Sequence, residues 1–297
     1  MSPAPPARVA LWPTLALGLN ALVWGVSWWP FRQLESAGLH PLWATVLIYA
    51  VAVVVISLAR PASWRELFSH PVLWLLVVAS GSTNAAFNWA VTMGDVVRVV
   101  LLFYLMPLWA VLLARVLLKE RITAAALLRV GLALTGAMII LWPPGGGLPL
   151  PRTLADGLGV LGGFSFALNN VMLRREAARS DGARALAMFF GGVLVAGLLI
   201  AFLTPGGSVP PLPLPTPGWM FGTLLLAACF LAGNLALQYG ATRLPANATA
   251  VIMLTEVLFA SGSALALGAG TLDARLALGG AAIIAAALLA AREHAGG

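Results

Sequence analysis

Apolar runs of about twenty residues recur along this 297-residue chain, and a run of that length crosses the hydrocarbon core of a bilayer as a helix. Inside hydrocarbon the backbone must satisfy its own hydrogen bonds, which leaves helices or closed barrels. Only 9% of the residues are charged and 61% are hydrophobic, against about 25% charged in a soluble domain. The polar side chains are too few to coat a water-facing surface. The expectation is an all-α integral membrane protein with ten transmembrane helices, spanning residues 9–31, 40–59, 71–92, 96–117, 123–142, 154–173, 184–203, 218–239, 245–267 and 272–291. The first run reads as a span rather than a cleaved signal. Arg8 is its only early cation, no small-x-small site follows, and it stays apolar to Phe31.

The net charge of +7 has a topological meaning. With the N-terminus in the cytoplasm, twelve Lys and Arg fall inside and four outside (Arg32, Arg98, Arg152 and Arg275), with Arg129 nearer the inner end of its span. Such asymmetry in short loops is the positive-inside pattern. It puts both termini in the cytoplasm and accounts for the basic charge by attraction to the membrane surface, without nucleic acid as a partner. Cys229 is alone, so it makes neither a disulfide nor a metal site, and it reads as a small apolar filler.

"PPGGGLPLPR" divides the chain nearly in half, and "TPGGSVPPLPLPTPG" follows the seventh span. Both are turn chemistry. The organisation expected is a first five-helix repeat over 1–142, a linker over 143–153 and a second repeat over 154–297. A shift of 150 residues lays Asn84 on Asn234, Asn88 on Gln238 and Met106-Pro107 on Glu256-Val257. Nearer the N-terminus a shift of 142 lays Trp24 on Phe166 and Arg32 on Arg174. Five spans is an odd number, so the two repeats are inverted. Inverted repeats are common in secondary transporters, with the substrate site at the midplane.

Asn84 and Asn88, like Asn234 and Gln238, are four apart and share a helical face. Such amides either glue helices together through hydrogen bonds or line a watered cavity and bind a polar ligand. Glu256 is the one acidic residue deep in a span. A carboxylate there costs at least about 2.5–3.5 kcal/mol, so it faces the bundle interior or water. It is a candidate counter-charge for a substrate ammonium, a proton carrier, or a structural carboxyl. Trp24 and Trp28, Phe103 and Tyr104, and Phe166 with Asn169 and Asn170 could build an aromatic pocket with a few polar points, the usual make-up of a small-molecule site. They could equally fill helix interfaces. Pro107 interrupts the fourth span and should bend it. Its repeat partner is Val257, so the expected hinge is asymmetric. Trp12, Trp43, Trp64, Trp74, Trp142 and Trp219 sit near span ends, where aromatic belts belong. "DGLGVLGG" and "GGAAIIAAALLAA" read as close helix packing. No constellation for an enzyme appears, and no cofactor is expected.

"NALVWGVSWWPFR" and "MPLWAVLLARVLLKERIT", the latter ending in Lys119-Glu120-Arg121-Ile122-Thr123, resemble the drug/metabolite transporter superfamily, EamA type. Within it the chain looks most like the YddG-type aromatic and neutral amino acid exporters. In the second half "GAGTLDARL" lacks the Glu-Arg pair. The resemblance implies a central cavity lined by spans 1, 3, 4, 6, 8 and 9, and an exporter of aromatic or large neutral amino acids in a bacterial inner membrane. Its partners would be the small-molecule substrate and membrane lipid, and it would be a monomer or weak homodimer. Export of other metabolites or drugs, and a non-transporting scaffold, are the alternatives. The orientation is testable by labelling in intact cells. A cysteine at Gly207 should react with an impermeant thiol reagent and one at Gly182 should not, and the reverse pattern would overturn the orientation.

Overall fold

The computed structural model describes residues 8–93, 96–142, 151–267 and 274–292, and among them no strand occurs. The helices are α1 Arg8–Val26, α2 Trp28–Ser36, α3 Pro41–Ala59, α4 Ala62–Ser69, α5 Val72–Met93, α6 Val96–Phe103, α7 Met106–Leu113, α8 Ala124–Leu141, α9 Leu154–Arg175, α10 Asp181–Leu203, α11 Pro217–Ala241, α12 Ala246–Met253, α13 Glu256–Ala266 and α14 Ala274–Arg292. By length and composition α3, α10 and α11 can each cross a membrane alone.

Local chemistry sets the helix ends. His40 accepts the Leu42 N–H ahead of Pro41 at the start of α3. Thr153 and Asp156 form a reciprocal capping box that opens α9. A wider, π-helical turn over Ala114–Leu118 ends α7, and Lys119 closes it in the left-handed region at φ 57. Thr123 then caps α8. The "KERIT" segment is thus the link that stops one helix and starts the next.

Two features differ from expectation. A short helix, α4, joins α3 to α5. And the first and ninth spans are interrupted, at Ser27 and at Leu254-Thr255, in addition to the fourth, at Tyr104-Leu105, where Pro107 predicts it. Pro107 has no N–H, so the Phe103 carbonyl loses its helical donor, and Leu105 and Leu108 bond three residues back instead of four. The ninth span breaks without a proline. Val257 and Leu258 bond three residues back, while the Thr255 hydroxyl donates to the Ile252 carbonyl at 2.7 Å. The asymmetric hinge inferred from Pro107 is therefore corrected, because both helices are broken, 150 residues apart.

α5 packs between α9 and α10, α3 packs on α10, α1 on α11, α12 and α13, and α8 on α14. The tightest contacts are between glycines and facing backbone. A side chain at Gly191 would overlap the Val77 carbonyl, and one at Gly81 the Gly191 carbonyl. Gly136 and Gly279 meet each other's carbonyls in the same way across α8 and α14, so these glycines serve packing within the chain. Cys229 is exposed on α11.

The structure also refines the labelling sites. Gly207 lies at φ +74, and a Cβ at Gly182 would strike the Ser63 hydroxyl. The exposed neighbours Ser208 and Ala178 carry the same test without strain. For packing, Gly191→Ala should destabilise the protein by about 1–3 kcal/mol through overpacking. Gly197→Ala meets open space and should gain roughly 0.5–1 kcal/mol from helix propensity. Thermal unfolding of the two solubilised variants checks the opposite signs.

Candidate functional site

The two mid-span interruptions are held by the glycines of neighbouring helices. On α9, Gly163 lies against the Phe103 carbonyl that Pro107 leaves without its helical donor, Gly162 against the Phe103 ring, and Gly159 against the Val99 carbonyl. On α1, a Cβ at Gly25 would come within 2.7 Å of the Glu256 carbonyl and of Phe259. Each broken helix is approached so closely because the neighbour has no side chain there.

Around these breaks the structure assembles two aromatic groups. Phe103 packs on Phe87 at 5.0 Å, on Phe166 at 5.8 Å and on Tyr104 at 6.0 Å between ring centroids. Trp24 meets Phe230 edge-on at 4.5 Å, and Phe230 continues to Phe31 and Tyr49. Glu256 opens α13, is partly buried, and lies within electrostatic reach of Tyr104. Because Gly25 rests on Glu256, Trp24 is drawn to the same level. Trp24, Tyr104, Glu256, Phe103 and Phe166 thus gather at the breaks.

The amides make hydrogen bonds between helices. Asn84 accepts from the Tyr49 hydroxyl at 2.9 Å and donates to the Ser80 carbonyl. Asn88 donates to the Thr45 hydroxyl at 2.7 Å. Residues four apart on α3 therefore pair with residues four apart on α5. In the second half Gln238 donates to Asn234 at 2.8 Å. In the orientation of the Gln238 amide that satisfies both its atoms, the amide instead bonds the first turn of α10 at Asp181 and Ala185. Asn234 reaches the Met188 sulfur at 3.5 Å, and Ser80 donates to the Met188 carbonyl. Asn84 and Asn234 are thereby linked through one residue of α10. Asn169 donates to Asn170 at 3.4 Å, while the Asn169 Oδ1 and Asn170 Nδ2 are buried with no partner among the described residues.

Trp28 opens α2 just past the Ser27 interruption. Its indole donates to the Ser263 hydroxyl at 2.9 Å and lies beneath Arg32. Tyr49, Met188, Phe230 and Asn20 were not anticipated. The Asn20 amide donates to the Gly233 carbonyl at 2.8 Å. One signal was available, because Tyr49 interrupts an otherwise aliphatic run, "VLIYAVAVVV". Among the described residues no group of three or more His, Cys, Asp or Glu could hold a metal ion.

The arginine-rich end is tied across the chain's halves. Arg174 of α9 bonds the Thr242 carbonyl at 3.0 Å and faces Glu120 at 3.9 Å. Buried Arg184 gathers the Glu176, Ala177 and Arg179 carbonyls and pairs with Asp181. Glu66 of α4 accepts from both the hydroxyl and the backbone N–H of Ser180, the residue that caps α10.

Residues 11–142 match the EamA-like transporter family. Over 137 residues the chain is 31% identical to an uncharacterized transporter of Pseudomonas aeruginosa, an alignment covering 43% of this chain and 46% of that relative's length. A solved crystal structure superposes with a TM-score of 0.75 at 17% identity, covering 95% of this chain and 98% of the other. That likeness is one of fold.

Burial opposes the charge on Glu66, but the two Ser180 bonds, with His70 and Arg179, outweigh it and hold the carboxyl below its ordinary value of 4.5. A depressed carboxylate contributes stability above the ordinary range, and that contribution is lost as pH falls through the native value. At pH 7, Glu66→Gln should raise hydrogen exchange over residues 176–184. At a pH below the native value of Glu66 the variant and the wild type should converge. Equal exchange at both pH values would show that the contact does not hold α4 to the loop.

Proposed function

We propose that the protein is a secondary transporter that exports aromatic or large neutral amino acids across a bacterial inner membrane by alternating access. On this reading ten spans form two inverted five-helix repeats, with both termini cytoplasmic. The observation that carries it is the pair of helix interruptions at Tyr104-Leu105 and Leu254-Thr255. Discontinuous helices in corresponding positions of two halves are where transporters of this architecture place their substrate, because a break offers backbone groups and half-helix ends at membrane depth. The exchanged packing supports the repeat: α5 lies on α9 as α1 lies on α11, and α8 and α14 pair with each other. The family match to residues 11–142 supports transport.

The chemistry at the breaks suits a zwitterion with an apolar side chain. Trp24, Phe103 and Phe166 supply ring surface, and Glu256 supplies a charge or a proton at the same level. A carboxyl kept at such depth is favourable only where it has a partner or water. In this reading the other amides and Trp28 act when the bundle changes conformation, since the hydrogen bonds they make here tie helices that must move apart.

Counterflow of labelled amino acids in proteoliposomes tests the function, and failure to move any of the twenty would remove the substrate assignment. If Glu256 carries the proton, Glu256→Gln keeps exchange but loses dependence on a pH gradient. If it binds the ammonium, Gln weakens amino acids and spares analogues lacking the amine. A variant equal to wild type in both would make the carboxyl structural. Asn234→Leu should abolish transport and leave folding intact, because the Gln238 amide keeps partners at Asp181 and Ala185. Asn84→Leu alone strands the Tyr49 hydroxyl, at about 1–3 kcal/mol. The Asn84→Leu/Tyr49→Phe pair is therefore the fair test there, with loss of transport at near-normal stability expected.

A further inference from the structure

A groove of about 300 Å³ opens between α1 and α11 toward the lipid. Its floor is Ala16 and Ala236, and its walls are Trp12, Leu15, Leu19 and Tyr239. Two glycines bring the helices together beneath it: Gly240 meets Leu17 and the Pro13 carbonyl, and Gly233 meets Asn20 and Val23. Small floor residues between large exposed flanks leave a furrow running along the two antiparallel helices. Its level is fixed by these contacts as the half of the bundle nearest the start of α1 and the end of α11.

At that end the groove meets a cation. The Arg243 guanidinium lies over the Tyr239 ring with its carbon 3.8 Å from the centroid. Its Nη1 bonds the Tyr239 carbonyl at 3.0 Å and the Thr242 hydroxyl at 3.2 Å. That fixes the plane of the guanidinium, and among the described residues no bond engages its Nη2 or Nε edge. Arg174 and Arg184 nearby each have a carboxylate, Glu120 and Asp181, whereas Arg243 has none among the described residues. A fixed, uncompensated guanidinium with an open edge matches a phosphate group, which accepts from that edge in a bidentate fashion.

We propose that this furrow is a binding site for one anionic phospholipid, with an acyl chain lying over Ala16 and Ala236 and the headgroup phosphate on Arg243. Basic positions between helices at one membrane surface recognise such headgroups. A second copy of the chain fits less well. A two-fold contact presents the same patch from both sides, and would bring two uncompensated Arg243 side chains together.

Native mass spectrometry of the full chain tests the site, after extraction from vesicles of phosphatidylglycerol and phosphatidylcholine. The wild type should retain one phosphatidylglycerol through washing. Arg243→Gln should lower that retention by about tenfold, the worth of a charge-assisted hydrogen bond. Arg243→Lys should fall between, because it keeps the charge and loses the fork. Ala236→Trp should fill the groove and lose the lipid with no change of charge, and Arg65→Gln, at an exposed arginine on α4, should retain it. Melting of each variant in phosphatidylcholine alone establishes that it is folded. Equal losses in Arg243→Gln and Arg65→Gln would mean attraction by net charge and would overturn the site. So would a wild-type dimer, free of retained lipid, that Ala236→Trp separates.

Discussion

A backbone carbonyl or amide in hydrocarbon must find a partner within the protein, and a proline inside a helix leaves a carbonyl without its donor. The fold around residues 103–108 and 252–258 is organised by this requirement. Tighter three-residue bonds recover some of the lost partners, and the Thr255 hydroxyl adds a bond to the ninth span. The Phe103 carbonyl that Pro107 leaves open is covered by Gly163 of α9, and at the second break Gly25 of α1 lies against the Glu256 carbonyl, approaches that are possible only because neither glycine has a side chain. The breaks thus dictate which helices lie beside them. Those helices bring Phe166 and Trp24, and this is why aromatic surface, Tyr104 and Glu256 occur at one level.

The division of labour between polar and small residues follows from the same medium. Without a hydrophobic driving force between helices, association rests on close packing and on hydrogen bonds. The reciprocal glycine contacts of α5 with α10 and of α8 with α14 supply the first. The Thr45–Asn88 and Tyr49–Asn84 pairs supply the second. Close packing of this kind is short-ranged and lost over a small displacement. The hydrogen bonds are few, directional and exchangeable for water. An interface held by a handful of such bonds can open with few groups left unsatisfied, provided water or a polar ligand enters as it opens.

The sequence made some of this legible and hid the rest for physical reasons. Most of the apolar runs lie on helices, but the runs over 9–31, 96–117 and 245–267 are each divided into shorter ones, which run length alone does not report. Of the glycines of "DGLGVLGG", read as packing, Gly159, Gly162 and Gly163 pack and Gly157 faces open space. The amide spacing showed which residues share a face, but not what faces them. Tyr49 and Thr45 are more than thirty residues away, and nothing in α5 encodes them. The break in the ninth span was hidden because it rests on a threonine and a neighbouring glycine, whereas the break in the fourth announces itself through Pro107. Helix α4 was missed because eight amphipathic residues between two spans look like a loop on hydropathy alone.

The arginine-rich end shows what the charge pattern means once folded. Counting cations gives an orientation but no structure. In the bundle the same arginines serve three different purposes. Arg184 is buried and closes the α9–α10 turn by gathering carbonyls. Arg174 bridges Glu120, in the link between α7 and α8, to the end of α11, so it joins the two halves of the chain. Arg243 faces outward over an aromatic ring with an edge unused. The first of these must persist in any conformation that keeps the turn. The second is the kind of contact that rearranges if α9 and α11 separate at this end, because its ion pair is long and partly exposed and contributes little on its own.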